Sequence, residues 1–160
     1  MEKGKVLVAY FSATGTTEKL ASKLANVVNG DLFEIKPAKA YTEADLNWRN
    51  EKSRSSIEMA DRNSRPEISS KVENMAQYKT VFIGFPIWWA REPSIIDTFM
   101  ESYDFVGKTV IPFVTSGSSD IGNTSDNLQT LASKATVLKG KRFPSSASEE
   151  DLKTWIATLE

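Results

Sequence analysis

The chain has 160 residues, 40% of them hydrophobic, which suits one globular domain with a core of its own. Its 20 Lys and Arg residues nearly balance 21 Asp and Glu, for a net charge of -1, and no long like-charge run offers a footprint for nucleic acid or an anionic membrane. It contains neither cysteine nor histidine, which excludes disulfides, thiol redox chemistry, thiolate and imidazole metal sites, Ser-His triads and histidine acid-base catalysis, so that any redox chemistry must come from a bound cofactor.

The first element is the continuous apolar, β-branched and aromatic run from Lys5 to Phe11, the pattern of a central strand covered on both faces. Its apolar part, Val6 to Phe11, is shorter than a signal-peptide core of ~7 to 15 residues and far shorter than a ~20-residue membrane span, so a cytoplasmic protein is expected. The hydroxyl-rich turn Ser12 to Thr17 leads into a helix with Leu20, Ala21, Leu24, Ala25, Val27 and Val28 on one face, stopping near Asn29-Gly30. Leu32 to Ile35 reads as a second short strand.

Lys36 to Pro66 interrupts the pattern with a polar stretch too long for a simple connection. It is either disordered or a functional flap, and its aromatics Tyr41 and Trp48 favour docking on the body; a surface decoration held by two aromatic anchors is the plainer alternative. Beyond it, Val81 to Gly84 and Thr109 to Val114 repeat the strand-then-turn pattern. Helical stripes follow each, Ile95, Ile96, Phe99 and Met100 after the first, Leu128 and Leu131 after the second. A weak last strand near Thr136 to Leu138 precedes a helix with Leu152, Trp155, Ile156 and Leu159 on one face. Strands alternating with helices predict an α/β fold, a parallel sheet with helices on both sides. No internal repeat or low-complexity segment is present.

In such sheets ligands bind just outside the carboxyl ends of the strands, so three turns carry the argument. In the first, the hydroxyls of Ser12, Thr14, Thr16 and Thr17 surround Gly15, which can take strained backbone angles and leave amides pointing inward for an oxyanion. From Ser12 through the start of the helix no Lys or Arg appears until Lys19, so neutral donors and the helix N-terminus would bind a monophosphate better than a triphosphate with Mg²⁺. The Walker and dinucleotide glycine patterns are both missing, and a Ser/Thr-rich helix cap is the alternative. The second turn, Pro86-Ile87-Trp88-Trp89, sets two planar side chains at a strand end, either against a planar ligand or with one Trp capping the core. The third, Thr115 to Gly122, supplies hydrogen bonds without bulk to the edge of a ring.

Together these turns describe a phosphorylated planar heterocycle, and the chain resembles the flavodoxin family over nearly its whole length. Ser12-Ala-Thr-Gly-Thr-Thr17 is similar to the family's Thr/Ser-x-Thr-Gly-x-Thr phosphate loop, while Pro86-Ile-Trp-Trp89, Thr115-Ser-Gly117 and the stretch ending in Arg65-Pro66 resemble a bacterial flavodoxin-like subgroup. The resemblance implies a three-layer sandwich around a five-stranded parallel sheet in the order 2-1-3-4-5, a single domain over 1–160 with a polar insertion at about 36–66, and FMN as cofactor. It implies that Ser12, Thr14, Gly15, Thr16 and Thr17 hold the phosphate, that Pro86, Ile87, Trp88 and Trp89 line the ring, and that Thr115, Ser116, Gly117, Ser118, Ile121 and Gly122 hold its polar edge.

Three departures stand out. The near-neutral charge does not match acidic carriers that dock on basic partners, and residues 115 to 122 lack the aromatic that usually covers the second ring face, leaving that face open to substrate or covered by the insertion. Ala90 stands after the Trp pair where a Gly would let a peptide flip toward the flavin N5-H, so weak stabilisation of the one-electron-reduced flavin is expected.

The expected function is electron transfer between a redox partner protein and an acceptor, with the flavin performing the chemistry and no side chain acting as acid or base. One rival is an enzyme that takes hydride from NAD(P)H and reduces a quinone or other small acceptor, with Tyr41, Trp48, Arg49, Arg54 and Arg65 forming a substrate or nicotinamide site. A flavin-free binding module on the same fold is another. A receiver-like signalling module lacks the acidic cluster it would need at the strand ends.

Overall fold

A strand buried on both faces must be apolar at every position, and β1 (Lys5–Tyr10) is buried from Val6 to Tyr10 because it lies at the centre of the sheet. The computed structural model describes residues 5–89, 91–116 and 121–159. β1 pairs on one side with β2 (Asp31–Glu34) and on the other with β3 (Tyr78–Pro86), which pairs in turn with β4 (Thr109–Thr115). All pairings are parallel, and the order β2-β1-β3-β4-β5 is the one the resemblance implies.

The fifth lane differs from the single weak strand expected at Thr136 to Leu138. It is divided into β5 (Thr136–Val137) and β6 (Lys141–Phe143), each paired with β4. The Leu138 N–H still reaches the Val110 carbonyl at 2.9 Å. The next bond along a parallel lane would need an N–H from Pro112, which has none, so the ladder lapses there. Gly140, at φ +78°, carries the chain past this gap, where a Cβ would sit 2.1 Å from the Pro112 carbonyl oxygen.

Strand alternation divides the core into two layers. Val6, Val8 and Tyr10 of β1 join Phe82, Ile111 and Phe113 under α1 (Thr16–Val28) and a final helix (Glu149–Leu159), which contribute Leu20, Leu24, Leu152 and Trp155. Leu7, Ala9, Val81, Ile83 and Val114 face the other way, under Ile95, Ile96, Phe99 and Met100 of one helix (Ser94–Ser102) and Leu128 of another (Thr124–Leu131).

The polar 36–66 stretch is folded against this frame. An antiparallel bridge between Pro37 and Ile68 closes its neck, and it carries α2 (Arg54–Ala60), capped by Ser53, whose Oγ accepts the Ser56 N–H at 3.3 Å. In chain order the three later helices are therefore α3, α4 and α5. Of the two aromatics expected to anchor the stretch, Tyr41 docks, with its ring 5.6 Å from that of Phe11, whereas Trp48 stays 67% exposed. Met59, on α2, is the buried partner that replaces it. Among the described residues no helix is long and apolar enough to cross a membrane, and no group of three or more Asp or Glu side chains is placed to hold a metal ion.

Candidate functional site

The first turn leaves β1 at its carboxyl end and enters α1 through Gly15, whose φ of +91° is open to glycine at little steric cost. A Cβ built on Gly15 would meet nothing within 4 Å, so the turn presents an open cradle. Its shape is held by the Gly15 N–H, which donates to Ser12 Oγ at 3.0 Å. No side chain caps α1 at Gly15. The hydroxyls are therefore not spent as a helix cap, and the first amides of α1 remain available with the partial positive charge of the helix end. Thr14 Oγ1 and Thr16 Oγ1 lie 3.5 Å apart beside the cradle. A monophosphate fits this donor set of amides and neutral hydroxyls.

Thr17 faces inward, with its hydroxyl 2.8 Å from that of Thr115, the last residue of β4. That bond joins the first turn to the third. The third turn is fastened to β6 as well: the Ser116 N–H donates to the Phe143 carbonyl at 3.3 Å, and Arg142 Nη1 donates to the Ser116 carbonyl at 3.0 Å. Ile121 is buried, and Gly122 takes a φ of +63°. Gly117 and Ser118, like Ala90 in the second turn, lie outside the described residues.

In the second turn the chain reverses tightly. The Trp88 N–H donates to the Arg91 carbonyl at 3.0 Å and the Arg91 N–H returns to the Trp88 carbonyl at 3.2 Å. Trp89 holds a φ of +50°, uncommon for a residue with a Cβ and found mainly where surrounding structure imposes it. The reversal splits the pair. Trp88 packs edge-on against Phe11 and Tyr41, at 5.6 and 5.5 Å, and caps the core, whereas Trp89 is 48% exposed. Pro86 stands beside Thr115 in the sheet register, which brings the second and third turns together, and Ile87 packs on the core.

Two features here lie beyond the sequence reading. Leu46, Trp48 and Ser55 of the 36–66 stretch line a solvent-open pocket of about 240 Å³ together with Ile87, Trp88 and Trp89. Beneath the second turn, Arg91, Glu92 and Asp97 are all buried. Arg91 Nη1 lies 3.7 Å from the Glu92 carboxylate and 3.6 Å from that of Asp97, Arg65 Nη1 reaches Asp97 at 3.9 Å, and Asn127 Nδ2 donates to Glu92 at 2.9 Å. Burial first, then contact with the Glu92 carboxyl, pushes Asp97 up to about 8. Glu92 Oε2 and Asp97 Oδ1 find no hydrogen-bond partner among the described residues, and a proton held between the two carboxyls would serve both. An Asp inside the otherwise apolar Ile95 to Met100 stripe is the sequence signal for this cluster.

The arginines expected to form a substrate or nicotinamide site each have a partner of their own. Arg54 Nε pairs with Glu58 at 2.9 Å while its guanidinium lies 3.8 Å over the Tyr41 ring, and Tyr41 donates its hydroxyl to Glu58. Arg65 makes a two-pronged pair with Glu101 on α3 at 2.7 and 3.1 Å. Arg49 alone stays beside Trp48, 5.0 Å from its ring centre.

The sequence model of the flavodoxin family matches residues 5–159. Among solved structures, a candidate flavoprotein from Bacteroides uniformis shares 54% identity and a TM-score of 0.92, with 98% of this chain and 99% of that one covered. A second, from Bacteroides eggerthii, shares 48% identity at a TM-score of 0.93, covering 98% of each chain. A flavoprotein in complex with FMN from Lactobacillus acidophilus has the same fold at 21% identity and a TM-score of 0.73, over 96% of this chain and 99% of that one. No curated protein sequence matches the chain at a significant level.

Proposed function

We propose that this chain, which belongs to the flavodoxin family, holds one FMN non-covalently and uses it to move electrons. The observation that carries the reading is the open cradle at Gly15, in front of helix amides that no side chain caps. The phosphate would sit there among Ser12, Thr14, Thr16 and the first amides of α1. The ring would lie toward the exposed Trp89 and between the second and third turns, whose registered ends at Pro86 and Thr115 bring them within reach of one ligand. Bound FMN supplies the electron transfer; the protein binds it, orients it and limits its access to water.

A carrier passing electrons between a reductase and an acceptor protein is the favoured form of this reading. An enzyme that takes hydride from NAD(P)H and reduces a small acceptor is the second form, and the cavity beside Trp89 favours it as a place for that acceptor, because a carrier that works only by protein docking has no need of a small-molecule pocket. An absorption titration with FMN should saturate at one flavin per chain. Anaerobic NADPH added to the loaded protein then separates the two forms: bleaching only after a reductase is supplied supports the carrier, and bleaching by NADPH alone supports the enzyme.

A further inference from the structure

A helix as short as α2, seven residues long, does not hold itself together in water, and its last carbonyls need donors from outside the helix. Two of them are met from the segment just after the second turn. Ser94, the first residue of α3, donates its hydroxyl to the Glu58 carbonyl at 3.2 Å, and Arg91 Nη2 donates to the Met59 carbonyl at 3.1 Å. Nη2 also reaches Ser94 Oγ at 3.3 Å, while Nη1 donates to the Glu92 carbonyl at 3.1 Å and faces the Glu92 and Asp97 carboxylates. The planar guanidinium serves all these acceptors from one position.

Arg91 also closes the second turn. Its N–H and carbonyl are exchanged with those of Trp88 across a reversal that passes Trp89 at a φ of +50°. A residue with a Cβ takes such an angle at a cost, so the end that fixes it must itself be held. Arg91 is 7% exposed, and its bonds to α2 and α3 hold that end. A second contact joins the same segments: Tyr41, which donates its hydroxyl to Glu58, packs edge-on against Trp88 with ring centres 5.5 Å apart. A closed circuit of contacts therefore runs from α2 through Tyr41, Trp88 and Arg91 back to α2.

We propose that Arg91 is a positioning residue for FMN, coupling α2 to the turn that carries Trp89, so that flavin bound at the turn stabilises α2 and an ordered α2 tightens flavin binding. The flavin half rests on the reading that the ring lies toward the second turn; the clamp on α2 does not. Coupling of this kind is reciprocal, so an effect of α2 on the flavin must appear as an effect of the flavin on α2.

The test is hydrogen exchange read by mass spectrometry at the Ile57 to Ala60 amides, on the parent and on Arg91→Lys, without and with saturating FMN. Lysine keeps a cation beside Glu92 and Asp97 but has no fork to span the Met59 carbonyl and Ser94 together. FMN is expected to slow exchange at these amides about tenfold in the parent and less than about threefold in Arg91→Lys. Ser94→Ala, which removes the link to the Glu58 carbonyl and keeps the guanidinium, should fall between them, and it carries the test alone if Arg91→Lys does not fold. In fluorescence titrations Arg91→Lys should weaken FMN and riboflavin by the same factor, about fivefold, because the Gly15 cradle is untouched. Val110→Ala, a buried change at the far end of β4 from the turns, should weaken neither.

Equal protection of α2 by FMN in the parent and in the variants overturns the proposal, as does a parent that binds FMN with no change at α2. A loss confined to FMN would place the effect at the phosphate, and an equal loss in Val110→Ala would make it general destabilisation; either result also overturns it. If the parent takes up no FMN, the FMN reading fails by itself. The clamp is then decided on the flavin-free protein, where α2 should exchange at least about threefold faster in Arg91→Lys than in the parent, and equal rates overturn it.

Discussion

Thr17 and Thr115 place their hydroxyls 2.8 Å apart although 98 positions separate them in the chain. One stands in the first turn of α1 and the other ends β4, so the bond fixes the distance between the Gly15 turn and the third turn. Both side chains are buried, and neither hydroxyl has water to fall back on. Thr115→Val keeps the shape and leaves the Thr17 hydroxyl unpaired, with an expected loss of about 1 to 3 kcal/mol in urea unfolding. The double variant with Thr17→Val should recover part of that loss, because no unpaired group remains. A double variant that loses the sum of both singles would show that the bond is not what couples them.

Gly15 separates a backbone requirement from a ligand requirement. With space around its Cα and a φ of +91°, Gly15→Ala meets strain but no clash, and about 1 kcal/mol of stability should be lost. The added methyl would enter the cradle. FMN affinity measured by fluorescence quenching is expected to fall more than tenfold, while riboflavin, which has no phosphate, loses less than threefold.

The Glu92–Asp97 pair predicts how stability depends on pH. Asp97, near 3.9 in an unfolded chain, is pushed up to about 8 when folded. Between those values the native state binds a proton that the unfolded state has released, so its stabilising effect is complete below pH 4 and is lost as pH rises through 8. Arg91 and Arg65 face the pair and oppose this shift, and Asn127 contacts Glu92 without titrating. The melting temperature should therefore fall from pH 6 to pH 9, and Asp97→Asn, which cannot ionise, should flatten that profile. Equal slopes in the two proteins would remove Asp97 as the source.

Gly84 marks a close approach in the core. A Cβ there would lie 2.3 Å from Phe113 Cζ, and Phe113 is fully buried in the neighbouring strand with no room to swing away. Gly84→Ala should cost about 1 to 3 kcal/mol, and Phe113→Leu in the same chain should relieve part of it. The readout is the urea midpoint of each single variant and of the pair.

Much of this architecture is legible in the residues. Continuous apolar runs mark β1, β3 and β4 because those strands are covered on both faces, and the stripes of α1, α3 and α5 point to the layers they fill. Gly15 among four hydroxyls marks the cradle because the strained turn and the donors are local in sequence. What could not be read depends on contacts between distant segments. The division of the Trp pair follows from Tyr41 and Phe11 taking one face of Trp88, and Met59 rather than Trp48 anchors the 36–66 stretch because Arg91 Nη2 bonds the Met59 carbonyl at 3.1 Å. The split fifth lane traces to Pro112, a residue whose missing donor matters only once its neighbour in the sheet is known.

A fold that holds a flavin by its phosphate must distinguish FMN from riboflavin, and titrating the purified protein with each under the same conditions measures that difference. Saturation at one FMN per chain, with riboflavin bound at least about a hundredfold more weakly, is the predicted result, since several charge-assisted hydrogen bonds at the cradle are lost together. Equal affinity for the two flavins, or no uptake of FMN, would contradict it.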